Sequence, residues 1–481
     1  MLKVLFAASE AAPFVKTGGL GEVIGSLPIA LRYQGVDARV ILPKYKAISP
    51  NLKEKIRHIK HIYVRLGWRN QYCGIEETEY KGVPVYFIDN EYYFGRDGIY
   101  GYSDDEVERF AFFCRSVLEV LPHIDFMPDV IHCHDWQTGA IPVLLEAHYR
   151  YNDFYKDIRT LFTIHNLRYQ GIYDRKVLGD LLDLGDDYFT PDKLEFYGNV
   201  NMLKAGLVYA DLISTVSPTY AQEIQMPFFG EKLDGLLRAR SHQLFGILNG
   251  VDYEEYNPAT DPLIFRNYDQ DRLEHKVENK LRLQEQLKLE VREDVPMIGI
   301  IVRLVAQKGL DLIAHVLDEI LAMDVQLVVL GNGEWQYENM FKNAAARYPT
   351  KVSANIFYDN TLAHRIYAAS DLFLMPSLYE PCGLAQLFSM RYGTIPIVRE
   401  TGGLRDTVQP YNEFTGEGNG FSFTNYNAHD MLYTIKRAVN FYYDKEVWYA
   451  LMRRAMQCDY SWNRSAKEYI ELYQRLKAGQ Y

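Results

Sequence analysis

Apolar and polar positions alternate along this chain in blocks that read as strands and helices in turn. Residues 3–8 are a short β-branched and apolar run. After a glycine-containing loop, residues 20–33 carry apolar side chains at helical spacing until Gly35 stops them. This predicts a strand, a loop and a helix. Further strands are predicted at 36–42, ended by Pro43, and at 83–88, 130–134 and 160–164, with helical patterns such as 106–121 between several of them. Such alternation predicts an α/β fold, a parallel sheet with helices on both faces.

The pattern restarts near Pro296. Strands are predicted at 297–302, 326–330, 372–375 and 395–398, with helices at 310–321 and 363–369. Two doubly wound halves follow. Between them, residues 249–275 are rich in Asn, Asp, Tyr and Pro with little periodicity, as expected of a linker. The boundary is placed near Leu248, giving domains 1–248 and 249–460. Thr17-Gly18-Gly19-Leu20 returns as Thr401-Gly402-Gly403-Leu404, each after a predicted strand and opening a predicted helix. In open α/β sheets ligands bind beyond the carboxyl ends of the strands, so the echo reads as two loops of phosphate- or sugar-binding type.

Length supports the two-domain picture, because 481 residues exceed one ordinary core. With 48% hydrophobic and 24% charged residues the chain is of globular type. Lys and Arg total 52 against 63 for Asp and Glu, a formal charge of −11, so the basic footprint of nonspecific nucleic-acid binding is missing. An anionic ligand must then find a local cationic pocket. The apolar stretch at 4–13 is broken by Ser9 and Glu10, and no run is long enough to span a bilayer; a cytoplasmic location without a membrane partner is expected. Cys73, Cys114, Cys133, Cys382 and Cys458 are scattered and contain no C-x-x-C pair, which predicts reduced thiols.

Lys16 precedes two glycines, Gly18 and Gly19, whose missing side chains would let an anion reach backbone N–H groups at a helix N-terminus. A diphosphate suits that place, and a plain tight turn would use the same glycines. The motif is not a G-x-x-x-x-G-K-[ST] loop. Arg303 and Lys308 flank a strand-to-helix turn, where two cations would neutralise charge on a departing pyrophosphate-linked oxygen; two solvated helix-start charges would look the same. Glu380 in Glu380-Pro381-Cys382-Gly383-Leu384 falls at a strand's carboxyl end, placed to bind sugar hydroxyls. His132 and His134 share a strand face, but no third ligand at metal spacing is near, so core or cleft histidines are expected.

Taken in order, Lys-Thr-Gly-Gly-Leu near the start, Arg-x-x-x-x-Lys-Gly-Leu-Asp after the second half's first strand, Glu-Pro-Cys-Gly-Leu, and Thr-Gly-Gly-Leu-Arg-Asp-Thr-Val closely resemble the bacterial glycogen synthase and plant starch synthase family. Asp135-Trp136, Thr163-Ile164-His165-Asn166 and Asn249-Gly250-Val251-Asp252 add to the match, which runs along essentially the whole chain. The resemblance implies a GT-B fold, two Rossmann-like domains facing an interdomain cleft, with an acceptor-side first domain and a second domain that binds the nucleotide sugar. Residues 461–478 would be a helix crossing back onto the first domain. It further implies transfer of glucose from ADP-glucose to the 4-hydroxyl of an α-1,4-glucan such as glycogen, with retention of configuration and neither metal nor cofactor.

By matching position, Lys16, Gly18 and Gly19 would touch the donor phosphates and glucose, Arg303 and Lys308 the diphosphate, and Glu380 the glucose hydroxyls. His165, Asp135 and Asn249 would line the glucose pocket and Tyr358 would stack on the base. Cys382, Gly383, Leu384, Thr401, Gly402 and Gly403 would also bind donor, Leu384 with Thr401 at the distal phosphate. The chain departs from the family at Ala385, commonly Thr, and at Gln137, commonly His. In the mechanism so implied, the domains close, the bond to phosphate stretches toward an oxocarbenium-like state, and the acceptor attacks from the face the diphosphate leaves. Either base would stack on Tyr358, and only the bacterial-type motifs favour ADP over UDP. No feature sets the oligomeric state. Among 38 tyrosines, the cluster Tyr92-Tyr93-Phe94 with Tyr100 and Tyr102 would present ring faces to glucose, though packing accounts for most such residues. A hydrolase would need a carboxylate pair flanking the bond and a glucan phosphorylase a pyridoxal phosphate on a lysine, neither of which is readable here; a sucrose or mannosyl transferase of the same fold, and a glucan-binding protein without activity, are the other readings.

Overall fold

Val4 to Ala7 in β1 (Lys3–Ala7) are fully buried, as expected of a strand covered on both faces. The computed structural model describes residues 1–101 and 105–481. The chain divides into two units, Met1–Gly250 with Trp462–Tyr481, and Val251–Ser461.

The first unit is built on nine strands: β1, β2 (Asp37–Pro43), β3 (Arg57–Leu66), β4 (Arg69–Tyr80), β5 (Val83–Asp89), β6 (Val130–His134), β7 (Arg159–Ile164), and two that follow a small separate sheet of β8 (Ile172–Tyr173), β9 (Glu195–Phe196) and β10 (Asn199–Asn201), namely β11 (Leu212–Thr215) and β12 (Leu244–Gly246). Their order is β12-β11-β7-β6-β1-β2-β5-β4-β3, with β4 antiparallel to both neighbours and every other pairing parallel. Strand order reverses at β1, the switch point where such sheets bind ligands. The helix Gly19–Tyr33 turns Leu20, Val23, Ile24, Leu27 and Leu31 into the core, each contributing about 1.5–3 kcal/mol, and ends before Gly35, which takes a φ of +85°.

The β3–β4 hairpin was not predicted. β3 is mostly exposed along its first seven residues, so it carries no apolar face to read. The helix Trp462–Lys477 returns to this unit and packs on the helix Gly19–Tyr33 and on β6 and β7, burying Trp462, Ala466, Tyr469, Leu472, Tyr473 and Leu476. Gly250 makes that return possible, since a Cβ there would sit 2.6 Å from the Trp462 Cα.

The second unit holds a wholly parallel sheet of β13 (Met297–Ile301), β14 (Gln326–Leu330), β15 (Val352–Asn355), β16 (Leu372–Met375), β17 (Ile395–Arg399) and β18 (Phe421–Phe423), in the order β15-β14-β13-β16-β17-β18. The order reverses at β13. Residues 251–275 correct the linker expectation: Val251, Tyr256, Ile264, Tyr268 and Leu273 are buried in this unit's core. The Asn and Asp that made the segment look like a linker close turns instead, with Asp252, Asn257 and Asp261 side chains accepting from backbone N–H groups two residues on.

Candidate active site

Every site residue chosen from the sequence lies beyond the carboxyl end of a strand. In the first unit the loop after β1 carries Lys16, Gly18 and Gly19, Asp135 follows β6, His165 follows β7 and Asn249 follows β12. Among the described residues, Glu10 organises the β1 loop. It is buried, accepts from the Thr17 backbone N–H (2.5 Å) and hydroxyl (2.8 Å), and accepts from the Tyr100 hydroxyl (2.7 Å). Sequence reasoning missed it, because a lone glutamate in an apolar stretch carries no signal of its partners. Lys16 forms an ion pair with Glu22 of the following helix. Gly18 is that helix's N-cap in extended conformation, and a Cβ on it would meet nothing within 4 Å. The glycine therefore faces open space where a ligand can approach.

Asp135 has a φ of 58° and a ψ of −177°, a conformation costly for a side chain with a Cβ and one that concentrates at functional sites. Its backbone continues the β6 ladder to Thr163, and its Oδ1 accepts from the His165 N–H at 2.8 Å. Burial pushes the Asp135 carboxyl up to about 7, against the backbone N–H groups of His165 and Asn166 that favour its ionised form. Burial also holds His165 down at about 3, and it keeps His132 and His134 well below the usual histidine range. These three imidazoles are neutral at physiological pH.

His134 Nδ1 lies 3.0 Å from His165 Nε2, while His132 is bonded to the Tyr473 hydroxyl (2.8 Å) and the Thr163 hydroxyl (2.5 Å). Both strand histidines are fully buried, and they serve as a packed support under His165. Among the described residues no group of three or more His, Cys, Asp or Glu side chains is placed to hold a metal ion. Asn249 is buried, and among the described residues its Oδ1 has no hydrogen-bond partner. Such an atom calls for a polar group to satisfy it. Of the tyrosine cluster, Tyr93 and Phe94 are core residues, Tyr100 is bound to Glu10 and Ser9, Tyr92 is exposed, and Tyr102 lies outside the described residues.

In the second unit three turns meet at the carboxyl ends of β13, β16 and β17. Gly309, with φ +73°, lets the first turn touch the second, since a Cβ there would meet the Pro376 carbonyl oxygen at 2.0 Å. Leu378 N–H donates to the Gln307 carbonyl at 2.9 Å, and Arg399 Nη1 donates to the Leu378 carbonyl at 2.6 Å. This contact brings Lys308 Nζ to 2.7 Å from Glu380 Oε2, which also accepts from the Ser377 hydroxyl at 3.0 Å. Lys308 and Glu380 side chains are 14% and 9% exposed, so the pair is largely desolvated and removing one partner would leave the other's charge uncompensated. Arg303, on the same turn as Lys308, is exposed.

The third turn uses its glycines differently from the first unit's loop. A Cβ on Gly402 would meet the Glu380 carbonyl oxygen at 1.8 Å, and one on Gly403 the Cys382 carbonyl oxygen at 2.1 Å. Gly403 N–H donates to the Glu380 and Pro381 carbonyls, both at 3.2 Å. The missing side chains therefore admit the Glu380–Cys382 backbone. Cys382 and Thr401 are buried. Gly383 takes φ +73°, Leu384 caps the helix Ala385–Arg391, and Gln386 Nε2 braces the turn through the Cys382 (3.1 Å) and Gly383 (2.9 Å) carbonyls. Tyr358, beyond β15, is 70% exposed and offers a ring face to a ligand.

Comparison with known proteins agrees with this arrangement. The family described as "Starch synthase catalytic domain" matches residues 3–239, and that described as "Glycosyl transferases group 1" matches 282–446. A glycogen synthase of Desulforamulus reducens is 60% identical over 99% of both chains, and one of Geobacillus stearothermophilus is 58% identical over 99% of this chain and 98% of its own. The catalytic domain of starch synthase IV from Arabidopsis thaliana, solved bound to ADP and acarbose, superposes with a TM-score of 0.92 at 36% identity, covering 99% of both chains. Sucrose-phosphate synthase from Thermosynechococcus elongatus shares the fold at a TM-score of 0.63 and 18% identity over the whole of both chains. Two Rossmann-like units with switch points at β1 and β13, and a matched relative along nearly every residue, place the chain in the glycogen synthase and starch synthase family of GT-B glycosyltransferases.

Proposed function

We propose that the chain transfers glucose from ADP-glucose to the non-reducing 4-hydroxyl of an α-1,4-glucan, with retention of configuration and release of ADP. The observation that carries this is the Lys308–Glu380 pair, which holds a cation and a carboxylate together at the switch point of the second unit. In this reading Lys308 and Arg303 neutralise the diphosphate as it departs, and Glu380 accepts hydrogen bonds from glucose hydroxyls. Tyr358 stacks on the base, and Leu384, Thr401 and the neighbouring Cys382, Gly383, Gly402 and Gly403 form the turns around the phosphates. From the first unit, Lys16, the open backbone at Gly18, and Gly19 meet the donor, while Asp135, His165 and Asn249 line the glucose. The Asn249 Oδ1, without a hydrogen-bond partner among the described residues, is suited to a sugar hydroxyl. ADP in the Arabidopsis starch synthase structure supports adenine as the base.

A donor panel of radiolabelled ADP-glucose, UDP-glucose and GDP-mannose with primer glycogen tests this reading. Label should enter α-1,4-linked polymer from ADP-glucose with the highest kcat/KM. Incorporation from UDP-glucose alone, or none from any donor by folded protein, would refute it.

A further inference from the structure

The carboxyl edge of the first unit's sheet carries aromatic rings that the transfer site does not use. β5 runs parallel to β1, and the helix Glu91–Phe94 begins two residues beyond its end, so Tyr92 stands on the same edge as Lys16, Asp135 and His165. Gly74 pairs with Asp89, the last residue of β5, so Arg69 to Cys73 overhang that edge and carry the tip of the β3–β4 hairpin past it. Trp68 is at this tip. Tyr92 is 64% and Trp68 80% exposed. With β5 two strands and β3 four strands from β1, these rings lie about 10 Å and about 19 Å along the sheet from the switch point.

Both rings are backed by a clamped arginine. The Arg96 guanidinium lies 5.3 Å from the Tyr92 ring centre and is held by Asp105 through two bonds of 2.7 and 2.5 Å. That of Arg69 lies 4.7 Å from the Trp68 ring centre and is held by Glu108 (3.1 Å) and by Asp180 (3.2 and 3.1 Å). Glu108 is fixed in turn by the buried Tyr93, whose hydroxyl donates to it at 2.6 Å. A ring with one face on a fixed guanidinium loses little freedom when its other face is covered, which lowers the cost of binding. An exposed tryptophan held this way needs a ligand with flat, weakly polar faces and no charge requirement, and a pyranose ring is such a ligand.

We propose that Tyr92 and Trp68 are stacking subsites for a distant part of the α-glucan acceptor, arranged along one sheet edge outward from the transfer site. The proposal rests on the function above, because only a polymeric acceptor extends that far. Its consequence is selective: long glucans gain affinity, short ones do not reach the hairpin.

The test is affinity electrophoresis in glycogen-containing gels, with steady-state kinetics on glycogen and on maltotriose. Trp68→Ala and Tyr92→Ala should each weaken glycogen retention about threefold to tenfold, the worth of one lost ring contact. The KM for glycogen should rise in step with kcat held, and the maltotriose constants should hold in Trp68→Ala. Tyr151→Ala is the control, since Tyr151 is 93% exposed but precedes β7, at the opposite edge of the same sheet. Wild-type retention in the Trp68→Ala/Tyr92→Ala double variant, or equal weakening by Tyr151→Ala, overturns the proposal. Wild-type transfer to maltotriose alongside that result leaves the proposed function standing, whereas failure of the wild-type chain to glucosylate any glucan defeats both.

Discussion

Lys308 Nζ and Glu380 Oε2 are 2.7 Å apart, so the cation proposed for the diphosphate and the carboxylate proposed for the glucose form a single unit before any substrate arrives. Removing either partner leaves the other poorly compensated, and the two losses should overlap. Lys308→Gln should lower kcat by roughly 10²–10³, the typical cost of one preorganised group acting on developing charge. Glu380→Gln should do the same, and the double variant should fall well short of the product of the two. Kinetics on variants with wild-type circular dichroism check this. Unaltered kcat in Lys308→Gln would leave the residue a structural partner of Glu380 with no part in transfer.

The motifs were readable because their positions follow from chain order: a short apolar run, then glycine and a cation, then a helix, puts Lys16 and Lys308 beyond strand ends in any doubly wound sheet. What the sequence withheld depends on distant partners. Glu10 matters through Thr17 and Tyr100, the latter ninety residues away. The hairpin was invisible because β3 lies at a sheet edge with no buried face along most of its length. Residues 251–275 misled because turn-forming Asp and Asn dominate the composition, while the few buried residues, such as Tyr256 and Tyr268, are spaced without a period. The glycines at 402 and 403 looked like those at 18 and 19, and only the neighbouring backbone distinguishes them.

If Asp135 lines the glucose as proposed, the reaction is pH-dependent: burial raises its carboxyl to about 7, so it is protonated below and ionised above that value, and an ionised carboxylate beside a glucose gaining positive charge would speed transfer. The kcat profile should rise with pH through about 7, and Asp135→Asn should lose that inflection. The stability effect has the opposite sign. Because the folded value exceeds the unfolded one, the native state binds more protons between about 4 and 7, and this group's stabilisation is lost as pH rises through that window. Melting curves at pH 4.5 and 8 should therefore show Asp135→Asn gaining on wild type at the higher pH. An inflection near 7 surviving in the asparagine variant would reassign it elsewhere.

The cysteines separate by accessibility. Cys73, Cys114, Cys133 and Cys382 are buried, and only Cys458 among the five is partly exposed. Burial pushes Cys73 and Cys114 up to about 12, so neither is a thiolate near neutral pH. Iodoacetamide should mark Cys458 first in native protein without loss of activity, followed by mass spectrometry. Cys382→Ser should keep most of its kcat, since the turn holds through backbone bonds to Gln386. An inactive but folded serine variant would give the sulfur a role this geometry does not.

The two Gly-Gly pairs offer the sharpest contrast. At Gly403 an added Cβ would press on backbone, 2.1 Å from the Cys382 carbonyl oxygen and 2.5 Å from its Cα, so the turn bearing Glu380 must shift. Gly403→Ala should cost about 1–3 kcal/mol of stability, as overpacking does, and should lower kcat by moving Glu380 away from Lys308. Gly18 is extended with φ −165°, a conformation any residue adopts, and its Cβ would meet open space. Gly18→Ala should melt with wild type, and any kinetic change must come from the ligand. If the donor approaches this backbone, the KM for ADP-glucose rises while the melting temperature holds. Thermal melts and donor titrations of the two alanine variants together decide the matter: an unchanged donor KM in Gly18→Ala would leave the first loop a turn only, and wild-type stability in Gly403→Ala would mean that the third turn is not packed as tightly as the distances require.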